Sequence, residues 1–60
     1  MDTFCTKFKF KSEENRKIYP SEYCLLGSDG ITIAFIEWDR RGQCGLSFYV
    51  GTLTDLQFIN

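Results

Sequence analysis

Aromatic and basic residues alternate along residues 3–11. The alternating positions are Phe4, Thr6, Phe8 and Phe10 on one side and Lys7, Lys9 and Lys11 on the other. A period of two places successive side chains on opposite faces of an extended strand, whereas a helix would scatter both sets around its circumference. The pattern therefore predicts a strand with one buried face and one solvated face.

Two apolar segments in the second half of the chain predict a hairpin. Residues 31–38 (ITIAFIEW) and 44–50 (CGLSFYV) are rich in β-branched and aromatic residues, and the polar residues 39–42 separate them. A shorter strand is predicted over residues 22–26. The Asp-Gly pair within residues 27–30 predicts a tight turn between that strand and the next, because Asp-Gly between apolar runs is typical of hairpins.

The polar segment 12–21 separates the first two predicted strands and contains the only proline, Pro20. Proline disfavours helical conformation at the residue before it, and a helix of about six residues is not stable by itself. We therefore expect an irregular loop here, with a helical turn capped by Ser12 as the alternative.

The last residues can close the domain in two ways. Residues 52–55 suit a tight or 3₁₀ turn, after which residues 56–59 would return as a closing strand. The competing prediction is a short helix over residues 53–59, capped by Thr54.

These elements predict one domain over residues 1–60, and the chain's length and ends indicate a complete small gene product. The predicted class is all-β, a small antiparallel meander or SH3-like barrel of four to five strands. The order and spacing of elements resemble those of SH3-like barrels in architecture only, since no SH3 motif residues are present. The alternative is an α+β fold, a three-stranded antiparallel sheet with one helix from residues 12–26 or 53–59.

Catalytic chemistry has little support in this composition. The chain contains no histidine, which removes the commonest general base and zinc ligand. Its glycines fall at predicted turns, where the backbone requires them, and form no phosphate-binding pattern. Glu37 is predicted at an outward or edge position, paired with Arg40 or Arg41. The sequence therefore predicts a protein that is not an enzyme and has no cofactor, no metal and no small-molecule substrate.

The three cysteines are Cys5, Cys24 and Cys44. Such an odd, sparse set without a C-x-x-C pair predicts reduced thiols, with Cys24 and Cys44 as small core or near-core residues. One disulfide with a third thiol left over is the alternative. No apolar run is long enough to span a membrane, and no signal-peptide pattern begins the chain. The predicted location is the cytoplasm, or the host cytoplasm if the protein is viral, with no membrane partner.

A candidate interface lies on the second face of the central strand. If Ile31, Ile33 and Phe35 point into the core, the alternate residues point outward, and Tyr49 across the hairpin is expected to join them. The outward residues are Thr32, Ala34, Ile36 and Trp38. The predicted protein-binding residues are Ile36, Trp38, Arg40, Arg41 and Tyr49. Exposed Trp, Tyr and Arg often supply most of the binding energy of an interface. The alternative is a core packed on both faces of this strand.

A second candidate surface is the row formed by Lys7, Lys9 and Lys11. These side chains would project at about 6.6–7 Å intervals, which is near a nucleic-acid phosphate repeat, with Trp38 and Tyr49 as stacking platforms. The competing interpretation is a solvated face that discourages edge-to-edge aggregation. The net charge of −1 lacks the basic excess typical of a dedicated nucleic-acid binder.

The predicted function follows from small size and the lack of catalytic residues. We expect a non-enzymatic protein-binding module, a small inhibitor or adaptor of phage or mobile-element type, that occupies a surface of a larger protein. A homodimer is a further predicted assembly. The alternative function is single-stranded nucleic-acid binding through the lysine row and aromatic residues.

Overall fold

A computed structural model describes residues 5–38 and 41–59, except for the side chain of Trp38. The elements in chain order are β1 (Thr6–Phe10), α1 (Glu13–Ile18), β2 (Tyr23–Ser28), β3 (Thr32–Trp38), β4 (Cys44–Val50), a 3₁₀ helix (Leu53–Asp55) and β5 (Leu56–Ile59). Within the described residues, five strands form one antiparallel sheet in the order β4-β3-β2-β1-β5. The predicted small all-β fold is confirmed, and residues 56–59 form the closing strand, not a helix.

The core lies entirely on one face of the sheet, which we call the concave face. Its fully buried side chains are Phe8, Phe10, Tyr23, Ile33, Phe35 and Leu56. The alternation in β1 is confirmed, because Phe8 and Phe10 are buried while Lys7 is exposed. Phe4 lies outside the described residues. A core this rich in rings gains from edge-to-face contacts as well as from area removed from water.

The sheet curls strongly around this aromatic core. The rings of Phe10 in β1 and Tyr49 in β4 meet with centroids 4.8 Å apart, although two strands separate them in the sheet. In a flat sheet those two strands would be about 14 Å apart. Tyr19, which follows α1, stacks on the Phe10 ring at 4.9 Å. The curl and the loop carrying Tyr19 together cover the concave face.

Helix α1 forms where an irregular loop was the first expectation. The Ser12 side chain accepts a hydrogen bond from the backbone N–H of Asn15 at 3.0 Å, which confirms the capped helical turn considered as the alternative. Glu13 and Glu14 lie in the first turn, and Arg16 and Lys17 lie in the last. Negative side chains at the start and positive side chains at the end of a helix stabilise it by opposing its dipole. The cap and the charge order favour the helical turn, and a side-chain hydrogen bond from Asn15 to Tyr49 of β4 fixes it to the sheet.

The hairpin between β2 and β3 is confirmed, and Asp29 organises its turn. One carboxylate oxygen of Asp29 accepts the backbone N–H groups of Ile31 at 2.9 Å and Thr32 at 2.8 Å. Gly30 adopts a φ of 89°, a left-handed conformation that glycine reaches without a steric penalty. The hydrogen bonds from Thr32 and Ile31 lower the pKa of Asp29 from its usual value.

Cys5 and Cys24 form a disulfide, so the prediction of three reduced thiols is wrong. Cys24 stands in β2 opposite Lys7 of β1, and Cys5 lies just before β1, two residues from Lys7. Strand pairing therefore makes the two cysteines diagonal neighbours, and their α-carbons are 5.5 Å apart. Cys44 is free and exposed, and its predicted near-core position is also wrong. Because two of the three cysteines are oxidised to a disulfide, the cysteines no longer support a cytoplasmic location, where thiols are usually kept reduced.

We expect Asp29→Ala to lower the unfolding temperature at pH 7, because two turn N–H groups lose a charged acceptor. The folded pKa of Asp29 is lowered, so its contribution is complete above the usual pKa of 3.8 and is lost as the pH falls through the folded pKa. In thermal unfolding at several pH values, the unfolding temperatures of the wild type and of Asp29→Ala should converge as the pH falls. Glu22→Ala, at an exposed loop position, is the control. A constant difference down to pH 2 would contradict this account.

Replacement of Cys5 and Cys24 by Ser should lower the free energy of unfolding by about 3 kcal/mol, because the bond closes a loop of this length in the unfolded chain. The two cysteines are 19 residues apart. Urea unfolding with and without a reductant measures the effect, and Cys44→Ser is the matched control. Equal midpoints for the oxidised and reduced wild-type protein would show that the bond contributes nothing.

Candidate functional site

Tyr49 belongs to the concave face, so the expectation that it joins Ile36 on the outer face is wrong. In the β3–β4 register Tyr49 stands opposite Ile33, and Ile36 stands opposite Leu46. Directly opposite residues in antiparallel strands share a face. Tyr49 is partly buried against the core.

The Tyr49 hydroxyl joins three parts of the chain. It accepts a hydrogen bond from Asn15 Nδ2 of α1 at 3.0 Å and donates one to Asp55 Oδ2 at 3.2 Å. The same Asp55 oxygen accepts the backbone N–H of Thr52 at 3.2 Å. Burial raises the pKa of Tyr49, the bond from Asn15 opposes that change, and Asp55 adds to it. The arrangement holds α1 and the 3₁₀ helix against β4, which is a structural role.

The opposite face of β3 and β4 is apolar and uncovered. We call this surface the outer apolar face and define it by Ala34, Ile36, Leu46, Phe48 and Val50. The three β4 side chains are exposed to 60% for Leu46, 59% for Phe48 and 78% for Val50. The β3 members are half-buried beside them, in the register pairs Ala34 with Phe48 and Ile36 with Leu46. Contiguous exposed apolar side chains of this kind mark interaction surfaces.

A shallow depression of about 350 Å³ lies beside the outer apolar face. Gly27 and Ala34 are paired in the β2–β3 register and leave little side-chain volume between the strands. Phe48 stands at one side of the depression, and the turn residues Ser28 and Asp29 stand at another. A Cβ built at Gly27 would meet nothing within 4 Å, so the space above this residue is open. The depression is large enough to receive an apolar side chain of a partner.

The side chains of Lys7 and Lys9 point to the outer face of the sheet, but their strand is not an edge strand. Lys7 and Lys9 lie in β1, which is hydrogen-bonded to β2 on one side and β5 on the other. Lys7 is exposed and Lys9 is half-buried, so this face is at least partly solvated, but the lysines do not protect an edge strand from aggregation as the solvated-face interpretation added. Tyr49 lies on the concave face, so it gives them no stacking platform. Phe48 shares their face, but β2 and β3 lie between its strand and theirs.

The outer face carries an uneven charge distribution. Among the described strand residues that point outward by register, the charged ones are Lys7 and Lys9, and none is acidic. Glu37 points to the concave side, where its Oε1 accepts a hydrogen bond from Ser47 Oγ at 2.8 Å. The outer face therefore combines an apolar half over β3 and β4 with a basic part over β1.

The predicted protein-binding residues do not form one cluster in the described part of the chain. Ile36 is part of the outer apolar face and Arg41 is exposed in the β3–β4 turn, while Tyr49 faces the core. Arg40 and the side chain of Trp38 lie outside the described residues. Sequence reasoning missed Leu46, Phe48 and Val50. The signal for them was a run of apolar residues at alternate positions of β4, in a strand without any charge.

Among the described residues, no group of three or more Cys, Asp or Glu side chains is placed to hold a metal ion. No helix of the described residues combines the length and the apolar character needed to cross a bilayer.

Comparison of this chain with protein-family models, with curated proteins and with solved structures finds no match. The SH3-like resemblance therefore stays a prediction from element order.

We expect Tyr49→Phe to lower the free energy of unfolding by about 1 kcal/mol, since two side-chain hydrogen bonds are lost while Asn15 and Asp55 can still reach water. The folded pKa of Tyr49 is raised, so the advantage of the wild type is complete below the usual tyrosine pKa of 10.0 and shrinks as the pH rises through the folded value. Urea unfolding at pH 7 and above pH 10 measures both effects. Equal stability of Tyr49→Phe and the wild type at pH 7 would show that the Tyr49 hydroxyl does not stabilise the fold.

Proposed function

We propose that this protein is a non-enzymatic binding module that occupies a surface of a larger protein through its outer apolar face. The observation that carries the proposal is the exposure of Leu46, Phe48 and Val50 on one face of β4. The fold does not need these side chains, because its buried core lies wholly on the concave face. Exposed apolar groups that the core does not use lower solubility, so contact with a partner accounts for them best.

The charge distribution narrows the chemistry of the partner. The apolar half of the outer face would contact apolar side chains, and the depression at Gly27 would receive one of them. Lys7 and Lys9 lie beyond that half on the same face, so acidic groups at the border of the partner surface would pair with them. Such rim charges affect association rate and specificity more than affinity. An inhibitor or adaptor role, from a phage or mobile element and in the cytoplasm, stays a prediction.

Nucleic-acid binding is the weaker candidate. Lys7 and Lys9 have no described aromatic platform beside them, because Tyr49 faces the core and Phe48 lies three strands away. Single-strand binding by stacking needs rings and cations along one track. The apolar half of the face also has no role in contacting phosphates.

The test uses three purified variants and the wild type, each immobilised and exposed to nuclease-treated extract of the cells that produce the protein. Phe48→Ala removes an aromatic ring that is exposed to 59% on this face, and Gly27→Val fills the depression without a backbone clash. Ile18→Ala is the matched control, since Ile18 is exposed to 66% in α1, away from the outer face. We expect the first two variants to weaken binding of the captured protein at least tenfold, about 1.4 kcal/mol, and the control to leave it unchanged.

Calorimetry with the purified partner then confirms a direct contact, and thermal unfolding checks that each variant is folded. Equal binding by Phe48→Ala and the wild type would refute the proposal. Capture of single-stranded DNA or RNA that weakens steeply with salt, and weakens further on Lys7→Ala, would establish the alternative instead.

A further inference from the structure

Besides its exposed apolar side chains, β4 has a free backbone edge. In the described sheet this strand pairs with β3 along all seven residues, and its other side has no neighbouring strand. The sequence CGLSFYV contains no charged residue and no proline. Natural edge strands usually avoid pairing through charge, proline or short length. The other edge strand, β5, is only four residues long, so β4 is the edge open to pairing.

The backbone groups of the free edge can be assigned by residue. The N–H of Gly51 donates to the carbonyl of Ile31 at 2.8 Å, which makes these two residues a hydrogen-bonded pair at the end of the β3–β4 ladder. Hydrogen-bonded pairs alternate along an antiparallel ladder, so the odd-numbered residues of β4 bond to β3. The even-numbered residues direct their N–H and C=O groups away from β3. These residues are Cys44, Leu46, Phe48 and Val50.

We propose that two copies of this chain pair antiparallel through β4, forming a continuous sheet of ten strands, five from each copy. This inference goes beyond the proposed function and holds whether or not a larger partner binds. The two-fold axis passes beside Ser47, the middle residue of β4, because this register alone pairs all seven residues. It places Leu46 opposite Phe48 of the second copy, and Cys44 opposite Val50 of the second copy.

The strand is complementary to itself in this register. Every outer-face pair joins two apolar or uncharged side chains, and the same pairs exchange the free backbone hydrogen bonds. On the concave side Gly45 stands opposite Tyr49 of the second copy, so a large ring faces a residue without a side chain. A Cβ at Gly45 would meet only one atom, at 4.0 Å, so this side is open. No like charges oppose each other, which favours a second copy over a charged foreign strand.

Pairing of this kind would unite two outer apolar faces. The side chains of β4 lie on the same face of the joined sheet in both copies, so the exposed apolar strip doubles in width across the axis. Gly27 and Ala34 in the floor of each depression lie in β2 and β3, away from the axis, while Phe48 at its side lies in the pairing strand and would stand opposite Leu46 of the second copy.

Cysteine cross-linking tests the register. Val50 is exposed to 78%, so Val50→Cys should fold normally. In the proposed pairing Cys44 of one copy and the new thiol of the other belong to a hydrogen-bonded pair with α-carbons about 5.5 Å apart, within disulfide range. We expect mild oxidation to give a covalent dimer whose peptide map joins these two positions. The control is the same substitution with Cys44→Ser, which should stay without a cross-link. Equal cross-linking in both proteins would overturn the register.

Variants that carry opposite charges test the interface without an introduced cysteine. Sedimentation should show a wild-type dimer, and Leu46→Lys and Phe48→Glu should each weaken it at least about tenfold, because each places a charge opposite an apolar side chain. An equimolar mixture of the two variants should restore dimerisation, since Lys then faces Glu in one pair and Phe faces Leu in the other. A monomeric wild type overturns the proposal, as does a mixture no tighter than either variant alone.

Discussion

The contact of the Phe10 ring with Tyr19 and Tyr49 is the interaction on which the rest of the fold depends. It joins the first strand, the loop after α1 and the fourth strand, which are far apart in both sequence and sheet order. The contact covers the rings of the concave face where β1 and β4 approach each other. With it, one concave surface encloses all the fully buried side chains. The hydrogen bonds of the Tyr49 hydroxyl then hold α1 and the 3₁₀ helix at the closure.

Because the sheet curls toward its concave face, the surface available for function is the outer face. A chain of 60 residues builds a single core, so the apolar side chains left on the opposite face stabilise little. Leu46, Phe48 and Val50 are therefore available for contact, and the small residues Gly27 and Ala34 leave space beside them. The disulfide between Cys5 and Cys24 supports the basic side of the same sheet by joining β2 to the start of the chain. Rigid support of this kind reduces the entropy that binding costs.

Local pattern was enough to predict much of this fold. The period of two predicted the buried Phe8 and Phe10, and Asp29-Gly30 predicted the β2–β3 turn, because both signals act between near neighbours. The orientation of β4 was beyond such reasoning. Alternation separates Leu46, Phe48 and Val50 from Tyr49 and, taken alone, would place the first and more apolar set inward. The register with β3 reverses this, because it sets Tyr49 opposite the buried Ile33. The disulfide was missed for a similar reason, since it depends on the pairing of β1 with β2.

The one-sided core also has a consequence for sequence change. Substitutions on the concave face alter packing and closure together, so they are restricted by folding. The outward residues of β3 and β4 contribute little to that packing, and their side chains can be exchanged at small cost to the native state. Divergence of this chain can therefore proceed rapidly on one surface while its interior stays constant. The same separation makes the domain a scaffold on which a new recognition surface can be selected without redesign of the fold.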